Sequence, residues 1–451
     1  MNHSQKAIKI QKKVSLNKLK NSTPNFFKTL IKDTSIKHIS NYKYRERIYT
    51  PAQTLSMFVS QCLNQDASCQ NIVNKLALSR TKNTSISTSA YCQARNKLDM
   101  STIASFAKQI AIKDAVKVKN SLKFKGRDVY LIDGTTLTMP DTKKNQEQYP
   151  QPKWQKEGLG FPILRVVAII SLDTGSIIDA QAGSLKGKGS GEQGLLRSML
   201  GQFKKGDILL ADAMFSTYSL LSYVIEHGID IVFVQNGARS RKTDFMQGEI
   251  LGKNDHIITI KRPKEIPKWM SDEEITVRPK EIKIRELRVG EKILITTMMC
   301  PKKDKSKTIK ELYKERWNIE VDFRNIKITL GLDTLKCKTP KMVLKEMWTY
   351  FLGYNLIRSL MLKSAIYNKT IPRKISFKHS LQLYLSYLEN MQNINYNKLL
   401  KLIGEKVIGN RAGRIEPRAI KKRHNSFSLL MKPRNIARTE ILKDGHPKRM
   451  K

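Results

Sequence analysis

Acidic residues are scarce in this sequence, which has 39 Asp plus Glu against 83 Lys plus Arg among 451 residues. The resulting net charge of +44 destabilises a compact state by self-repulsion unless a polyanion binds the protein. Nucleic acid is the polyanion that this balance favours. A packing protein of the ribosomal or chromatin type is the alternative, although such proteins are usually shorter and poorer in aromatic residues.

Cysteine is also rare, and no two cysteines form a C-x-x-C pair. The five are odd in number: Cys62, Cys69, Cys92, Cys300 and Cys337. Because the seven histidines are scattered as well, the sequence predicts neither a disulfide framework nor a zinc site. These absences are typical of a reduced, cytoplasmic protein.

Long apolar runs are missing. The first residues contain no apolar segment of the kind found in secretion signals. The most apolar later stretch, residues 347–363, carries Asn355 and Arg358 and is too short and polar for a membrane span. It predicts a buried helix instead, and no membrane partner is expected.

The pattern of apolar residues divides the chain into five parts. Residues 1–120 read as a helical N-terminal DNA-binding region, and residues 121–244 as the first part of a mixed α/β core in the order of three strands, helix, strand, helix and strand. Residues 245–304 predict an inserted, mostly antiparallel β-rich lobe. Helix returns in the second part of the core, residues 305–400, and a basic tail occupies residues 401–451, with little periodicity from residue 410 onward.

Two helices joined by a turn are predicted within the N-terminal region, over residues 70–79 and 87–98, with Ser87 or Thr88 as N-cap of the second. The second helix is expected to present Arg95 and Lys97 outward, where they would contact phosphates and base edges of DNA. An exposed helix of a basic protein without such a role is an equally good interpretation.

Two aspartates follow apolar strands. Asp133 comes at the end of the run VYLI and precedes Gly134, and Asp212 comes after ILLA and precedes Ala213. One carboxylate in such a place is often a turn-former or a helix cap, but two in a strongly cationic chain favour a metal site. Hard oxygen ligands of this kind suit Mg²⁺ or Mn²⁺.

A third acid is selected by helical geometry within residues 308–330. With about 100° of rotation per residue, Glu320 shares one face of the helix with Tyr313, Arg316 and Lys327, all within an arc of roughly 60°. One carboxylate beside an aromatic hydroxyl and two cations suits a metal ligand flanked by phosphate-gripping groups. A simple ion pair between Glu320 and Arg316, one helical turn earlier, is the alternative.

The other acids of this helix are turned away from that face. By the same arithmetic, Glu315 and Asp322 point roughly to the opposite side. A further motif, GSLKGKGS at residues 183–190, is one residue short of a phosphate-binding loop and has Gly189 where Ser or Thr would hold magnesium. No nucleotide binding is predicted.

The spacing Tyr-x₂-Arg-x₃-Glu-x₆-Lys, formed by Tyr313, Arg316, Glu320 and Lys327, resembles the Y-R-E-K signature of the insertion-sequence family-four type DDE transposases. Several further segments are similar to other blocks of that family in the same order, over about residues 85–435: DGTTLTMPDTKKNQEQYPQP, GKGSGEQGLLR, GDILLADAMF and LGLDTLKCKTPKMVLKEMW.

The resemblance implies an RNase H-like catalytic core interrupted by a β-rich insertion between the second Asp and the Glu. It implies that Asp133, Asp212 and Glu320 are the catalytic triad and hold two Mg²⁺ ions, with Mn²⁺ as a substitute. Tyr313, Arg316 and Lys327 are then DNA contacts, and Trp269 of the insertion is the candidate for holding a flipped base.

The activity that the resemblance implies is cleavage of the ends of an insertion element and strand transfer into target DNA, by cut-and-paste through a hairpin. The partners would be double-stranded DNA, as terminal inverted repeats and target, and a second copy of the chain in a homodimer. The family often has Arg after the second Asp, whereas this chain has Ala213, which leaves full activity open. The alternatives are a metal-dependent DNA nuclease without strand transfer and a catalytically impaired DNA-binding relative.

Overall fold

The computed structural model describes residues 48–80, 84–118, 120–187, 189–264, 277–389, 395–408 and 432–444. Four helices come first along these ranges: α1 (Pro51–Leu63), α2 (Cys69–Ser79), α3 (Ser89–Lys97) and α4 (Met100–Lys117). The side chains of Thr50, Ser68 and Asp99 accept hydrogen bonds from the first turns of α1, α2 and α4, which satisfies backbone N–H groups that the helix leaves unpaired. The predicted helix pair is confirmed as α2 and α3, although Thr88 precedes α3 without a side-chain cap.

Nine strands form one sheet. Their bounds are β1 (Val129–Thr138), β2 (Ile163–Ser171), β3 (Ile177–Ser184), β4 (Ile208–Ala211), β5 (Asp230–Val234), β6 (Glu249–Gly252), β7 (Asp255–Lys261), β8 (Glu281–Val289) and β9 (Lys292–Thr296). The strand order is β3-β2-β1-β4-β5-β9-β8-β7-β6. β2 is antiparallel to both β1 and β3, whereas β1, β4 and β5 are parallel. This order and these directions make the first five strands an RNase H-like sheet, which confirms the predicted fold class.

The insertion is antiparallel, as predicted, but it does not form a lobe of its own. β9 pairs with β5 through Val232 and Thr296, so that β6 to β9 extend the core sheet. The physical reason is that β5 would otherwise be an open edge with unpaired backbone groups. Trp269 lies outside the described residues.

Short helices connect the strands of the core, and longer ones follow the sheet. The connecting helices are α5 (Lys143–Gln148), α6 (Glu192–Arg197), α7 (Tyr218–Glu226) and α8 (Gly237–Ser240). After the sheet come α9 (Ser306–Lys314), α10 (Asn318–Arg324), α11 (Pro340–Tyr367), α12 (Phe377–Glu389), α13 (Tyr396–Glu405) and α14 (Arg434–Asp444). The basic tail contains the helix α14, while its basic run at residues 421–423 lies outside the described residues.

Both faces of the core strands are buried. Leu131 and Leu210 face a core that they share with α11, whereas Ile132 and Leu209 face a second core that they share with α6 and α7. Strands covered on both sides read as continuous apolar runs, as seen in β2.

α11 is buried on nearly all sides and packs against α1, α4 and α13. Its polar residues have partners, since the fully buried Asn355 side chain bonds the backbone of Ala107 and Ile177. The prediction of a buried helix over residues 347–363 is therefore confirmed. None of the helices within the described ranges has the length and apolar character needed to cross a membrane.

Candidate active site

Asp133 and Asp212 lie on adjacent strands. Leu131 of β1 pairs in parallel with Leu210 of β4, so that Asp212, directly after β4, lies beside Asp133. β1 continues beyond Asp133 to Thr138, which places Asp133 inside its strand rather than at the end that the sequence predicts. Beyond Ala211, β4 no longer pairs with β1, and the carboxyl ends of parallel strands are where α/β sheets bind ligands.

The two carboxylates have different local bonds. Asp133 Oδ1 accepts a hydrogen bond of 2.8 Å from the Gly134 amide. Asp212 Oδ1 accepts one of 2.8 Å from the Met214 amide and so caps the 3₁₀ turn of residues 213–215. Asp212 therefore has the capping role that is the alternative for an aspartate after a strand. In both Asp133 and Asp212, the second carboxylate oxygen is left for other partners.

Charge is concentrated around Asp133. Burial raises the pKa of Asp133 to about 6, and the nearby Asp212 and Glu192 carboxylates add to the rise, while the Gly134 amide and Arg316 oppose it. Burial and the neighbouring carboxylates both disfavour the ionised form of Asp133. A cation at this place would be stabilised by these carboxylates, which otherwise repel each other.

The predicted helix over residues 308–330 is interrupted. It runs through α9, a 3₁₀ turn at residues 315–317, α10 and a π-helical turn at residues 325–329. Arg316 stands at the first interruption and bridges two acids. Its Nη1 lies 3.4 Å from Asp133 Oδ2, and its Nη2 lies 2.8 Å from Glu320 Oε1. The i, i+4 ion pair of Glu320 is therefore formed, and the same guanidinium ties Glu320 to Asp133.

Tyr313 and Lys327 border the same side of the helix. Burial, opposed by Arg316 and reinforced by Asp212, raises the pKa of Tyr313 to about 12. Lys327 Nζ donates to the Thr136 carbonyl of β1 at 3.0 Å and pairs with Asp333 at 2.9 Å. Arg316 and Lys327 thus attach the helix to β1 at two points on either side of Glu320.

Asp322 and Glu315 point away from this site, as helical geometry predicts. Asp322 is fully buried and pairs with Arg358 and Arg373 on the far side of α10, whereas Glu315 is exposed. Of the three acids in this segment, Glu320 is the one that Arg316 joins to Asp133, and its place in the catalytic triad stays a prediction.

One acid near the site is missed by sequence reasoning. Glu192 is the first residue of α6, and its carboxyl group lies against the backbone of Gly134, where a Cβ atom would come within 2.4 Å of Oε1. Burial, opposed by Arg165 and reinforced by Asp212, raises the pKa of Glu192. The available signal is the glycine directly after Asp133, because a residue without a side chain there permits the close approach.

The N-terminal contacts need a correction. The prediction that α3 presents Arg95 outward is wrong, since Arg95 is 8% exposed and its guanidinium lies over the rings of Phe58 and Tyr91. Its Nη1 donates to Gln61 of α1 at 3.2 Å, and α1 therefore decides which face of α3 is inside. Lys97 is exposed, and its role as a DNA contact stays a prediction.

The residues present fit a divalent cation only in part. Among the described residues, no three His, Cys, Asp or Glu side chains stand where they could hold a metal ion together. Asp133 and Asp212 supply hard oxygen donors whose mutual repulsion a cation relieves. Between Asp133 and Glu320, the positive charge is supplied by Arg316.

Comparison with known proteins gives three findings. The sequence model of the family described as Transposase DDE domain matches residues 124–356, a range that includes Asp133, Asp212, Glu320 and the residues around them. The chain is 26% identical over 384 residues to the transposase InsG for insertion sequence element IS4 of Escherichia coli strain K12, and the match covers 81% of this chain and 84% of that protein. A cryo-EM structure of the piggyBac transposase synaptic complex with hairpin DNA matches with a TM-score of 0.40 and 9% identity, covering 87% of this chain and 82% of the other.

Proposed function

Since this chain belongs to the transposase DDE domain family, we propose that it cuts the ends of an insertion element and joins them to target DNA. The observation that carries the proposal is the placement of Asp133 beside Asp212, with Glu320 tied to Asp133 by Arg316. These three acids lie on β1, directly after β4 and on α10, and Arg316 bridges the first and the third. Asp133, Asp212 and Glu320 are the catalytic triad in this proposal.

The triad would hold two Mg²⁺ ions, for which Mn²⁺ can substitute. When bound, such ions lower the pKa of an attacking water or 3′-hydroxyl and stabilise the leaving oxygen of the phosphodiester. The charges of the residues favour binding of such ions. Asp133 and Asp212 place like charges together, and Arg316 keeps Glu320 near them until a cation takes its place.

The cations of the helix would hold the DNA strand. Arg316 and Lys327 have donors for phosphate oxygens on the same side as Glu320, and the Tyr313 hydroxyl, kept protonated by its raised pKa, donates as well. The net charge of +44 supports binding of the remaining backbone. Tyr313 is a contact, not a nucleophile, because no covalent protein–DNA intermediate is needed.

The proposed course of the reaction is the one that the family resemblance implies. Hydrolysis nicks one strand at the element end, and the freed 3′-hydroxyl attacks the opposite strand to give a hairpin. The hairpin is then opened, and the 3′-hydroxyl attacks target DNA. A homodimer on paired ends would supply one site for each end.

A catalytically impaired DNA-binding relative is the second candidate. Two observations favour it: the described residues contain no group of three metal-ligating acids, and Ala213 stands where the family often has Arg. A plasmid that carries the inverted repeats flanking the reading frame separates the candidates. Excised, hairpin-ended and integrated products together support the transposase, cut products alone support a nuclease, and binding without cutting supports the impaired relative.

Removal of divalent cations is expected to abolish cleavage of this plasmid, because the acids alone cannot activate a water molecule. Added Mg²⁺ or Mn²⁺ should restore it. Calorimetric titration of Mn²⁺ into the protein without DNA gives a second measurement. Undiminished cutting in excess chelator would contradict the proposed chemistry.

Substitution Arg316→Gln is expected to tighten Mn²⁺ binding in the absence of DNA by about tenfold, because the guanidinium no longer competes for Asp133 and Glu320. Cleavage should fall by on the order of 10²–10³-fold, since a cation that faces the phosphate is lost. The control is Arg324→Gln, which removes the same charge from an exposed position of α10. If both variants shift Mn²⁺ affinity equally, only net charge matters and the competition does not exist.

A further inference from the structure

A basic groove lies between the segment that joins β1 to β2 and the C-terminal helix α14. Its volume is about 1170 Å³, and its cationic lining residues are Lys143, Lys153, Lys186 and Arg438. Asp141 and Glu157 are the acids in its lining, so cations are in excess. Within the described residues, none of these four cations forms a salt bridge.

The segment beside the groove is well fixed. Asn145 is fully buried, and its side chain donates to the carbonyls of Pro140 and Cys337. The side chain of Gln151 binds backbone groups later in the same segment, since its Oε1 accepts hydrogen bonds from the amides of Gly158 and Gly160. The tip of the segment is therefore held in one conformation by internal hydrogen bonds.

Trp154 stands at that tip with its side chain in solvent. It is 82% exposed, and it follows Pro152 in a turn that the Gln155 amide closes by donating to the Pro152 carbonyl at 3.2 Å. Its neighbours Lys153 and Gln155 both line the groove. The fixed backbone thus presents a large aromatic ring to solvent beside cations that form no salt bridge among the described residues, a combination that suits a partner with both charge and flat rings.

Charge and ring together select the partner. The four cations favour a polyanion, and the indole face favours a flat aromatic group. In intact duplex DNA the bases are already stacked on each other, so that only an unpaired nucleotide offers a free face to a protein ring. Single-stranded DNA is a partner that offers both a phosphate chain and free bases.

We infer that this groove binds DNA that carries an unpaired nucleotide, whose base stacks on Trp154 while its backbone lies along Lys143, Lys153, Lys186 and Arg438. The inference rests on the proposed function, because it takes DNA as the substrate, and it adds a positioning residue outside the triad. The segment that joins β1 to β2 and borders the groove continues the strand that carries Asp133.

The test compares two DNA probes of the same duplex, one blunt and one with a single-stranded thymidine extension. Trp154→Ala should bind the extended probe about 5- to 150-fold more weakly, the range that loss of one aromatic stack produces, and the blunt probe within about threefold of wild type. Trp154→Phe should keep most of the preference for the extension. Val277→Ala is the matched control, since it removes another apolar side chain that is 79% exposed and lies outside the N-terminal DNA-binding region.

Photocrosslinking locates the contact. With 5-iodouracil in place of one thymine of the extension at a time, irradiation should join the probe to the peptide that contains Trp154. In Lys143→Gln with Arg438→Gln, the slope of log affinity against log salt should fall by about two. Equal weakening of both probes by Trp154→Ala, or a crosslink elsewhere alone, overturns the inference. The inference is also overturned if Trp154→Ala dissociates a dimer and keeps the preference for the extended probe, because a second copy of the chain would then cover Trp154.

These measurements use binding and are repeated in the Asp133→Asn variant, so that they do not depend on cleavage. Stacking in a protein that never cuts element ends would leave the groove assignment standing and contradict the proposed function. Cutting of element ends by a protein that shows no preference for the extended probe would support the proposed function and contradict the groove assignment.

Discussion

Replacing Asp133 by asparagine is expected to lower DNA cleavage by on the order of 10³-fold or more, without loss of the fold. Asparagine has the same size, and its carbonyl oxygen can still accept from the Gly134 amide, but it cannot supply the negative charge that faces Asp212. The variant should also be somewhat more stable than wild type above pH 6. Burial raises the pKa of Asp133 to about 6 in the folded state, so the ionised form opposes folding at higher pH, and a neutral side chain removes that opposition. Plasmid cleavage and denaturant unfolding measure the two effects.

Asp173 supplies a matched control for this prediction. Burial likewise raises the pKa of Asp173 to about 6, but this residue lies in the turn between β2 and β3, where the Leu172 amide bonds the Val129 carbonyl at the start of β1. Asp173→Asn should therefore gain stability in the same direction and keep wild-type cleavage. Wild-type cleavage by Asp133→Asn, and by Asp212→Asn and Glu320→Gln in turn, would show that the triad is assigned wrongly.

The part of the site that sequence predicts depends on local rules. Asp133 and Asp212 follow apolar runs that must be buried strands, and parallel strands bring such residues to one edge. Helical rotation alone places Glu320 and Asp322 on different faces of the segment. The 3₁₀ and π turns do not change these faces, because both deviations are short. These inferences need no knowledge of which element packs on which.

The part that sequence does not predict depends on long-range pairing. The pairing of β9 with β5 joins residues more than sixty positions apart, and no pattern within either strand specifies the neighbour. Arg95 lies on a helix of nine residues whose inner face is chosen by Phe58 and Gln61 of α1. Glu192 follows a glycine-rich segment that has no periodicity, and only the packing of α6 on the sheet brings it to Gly134.

Replacing Asp322 by alanine is expected to cost about 3–5 kcal/mol of folding free energy, the largest stability effect that we predict at a single position. The Asp322 carboxylate is fully buried, with Arg358 and Arg373 bound to it and the Tyr354 hydroxyl at 3.0 Å. Arg358 is 3% exposed, and without Asp322 its charge would remain buried without a countercharge. Denaturant unfolding measures the loss.

The same substitution should impair cleavage at temperatures where the variant is still folded, because Asp322 fixes the helix that carries Glu320 two residues earlier. Glu315→Ala is the control, since it removes an exposed carboxylate from the same segment and should change stability by no more than about 0.5 kcal/mol. A second variant, Asp322→Leu combined with Arg358→Met and Arg373→Met, replaces all three charges by apolar side chains and should recover most of the lost free energy. If the combined variant recovers stability but not cleavage, the buried charges around Asp322 position α10 for function. If Asp322→Ala loses less than about 1 kcal/mol of folding free energy, the buried charge is not held as the contacts indicate. The expected recovery of stability therefore separates the energetic role of the ion pair from its role in directing Glu320 toward Asp133.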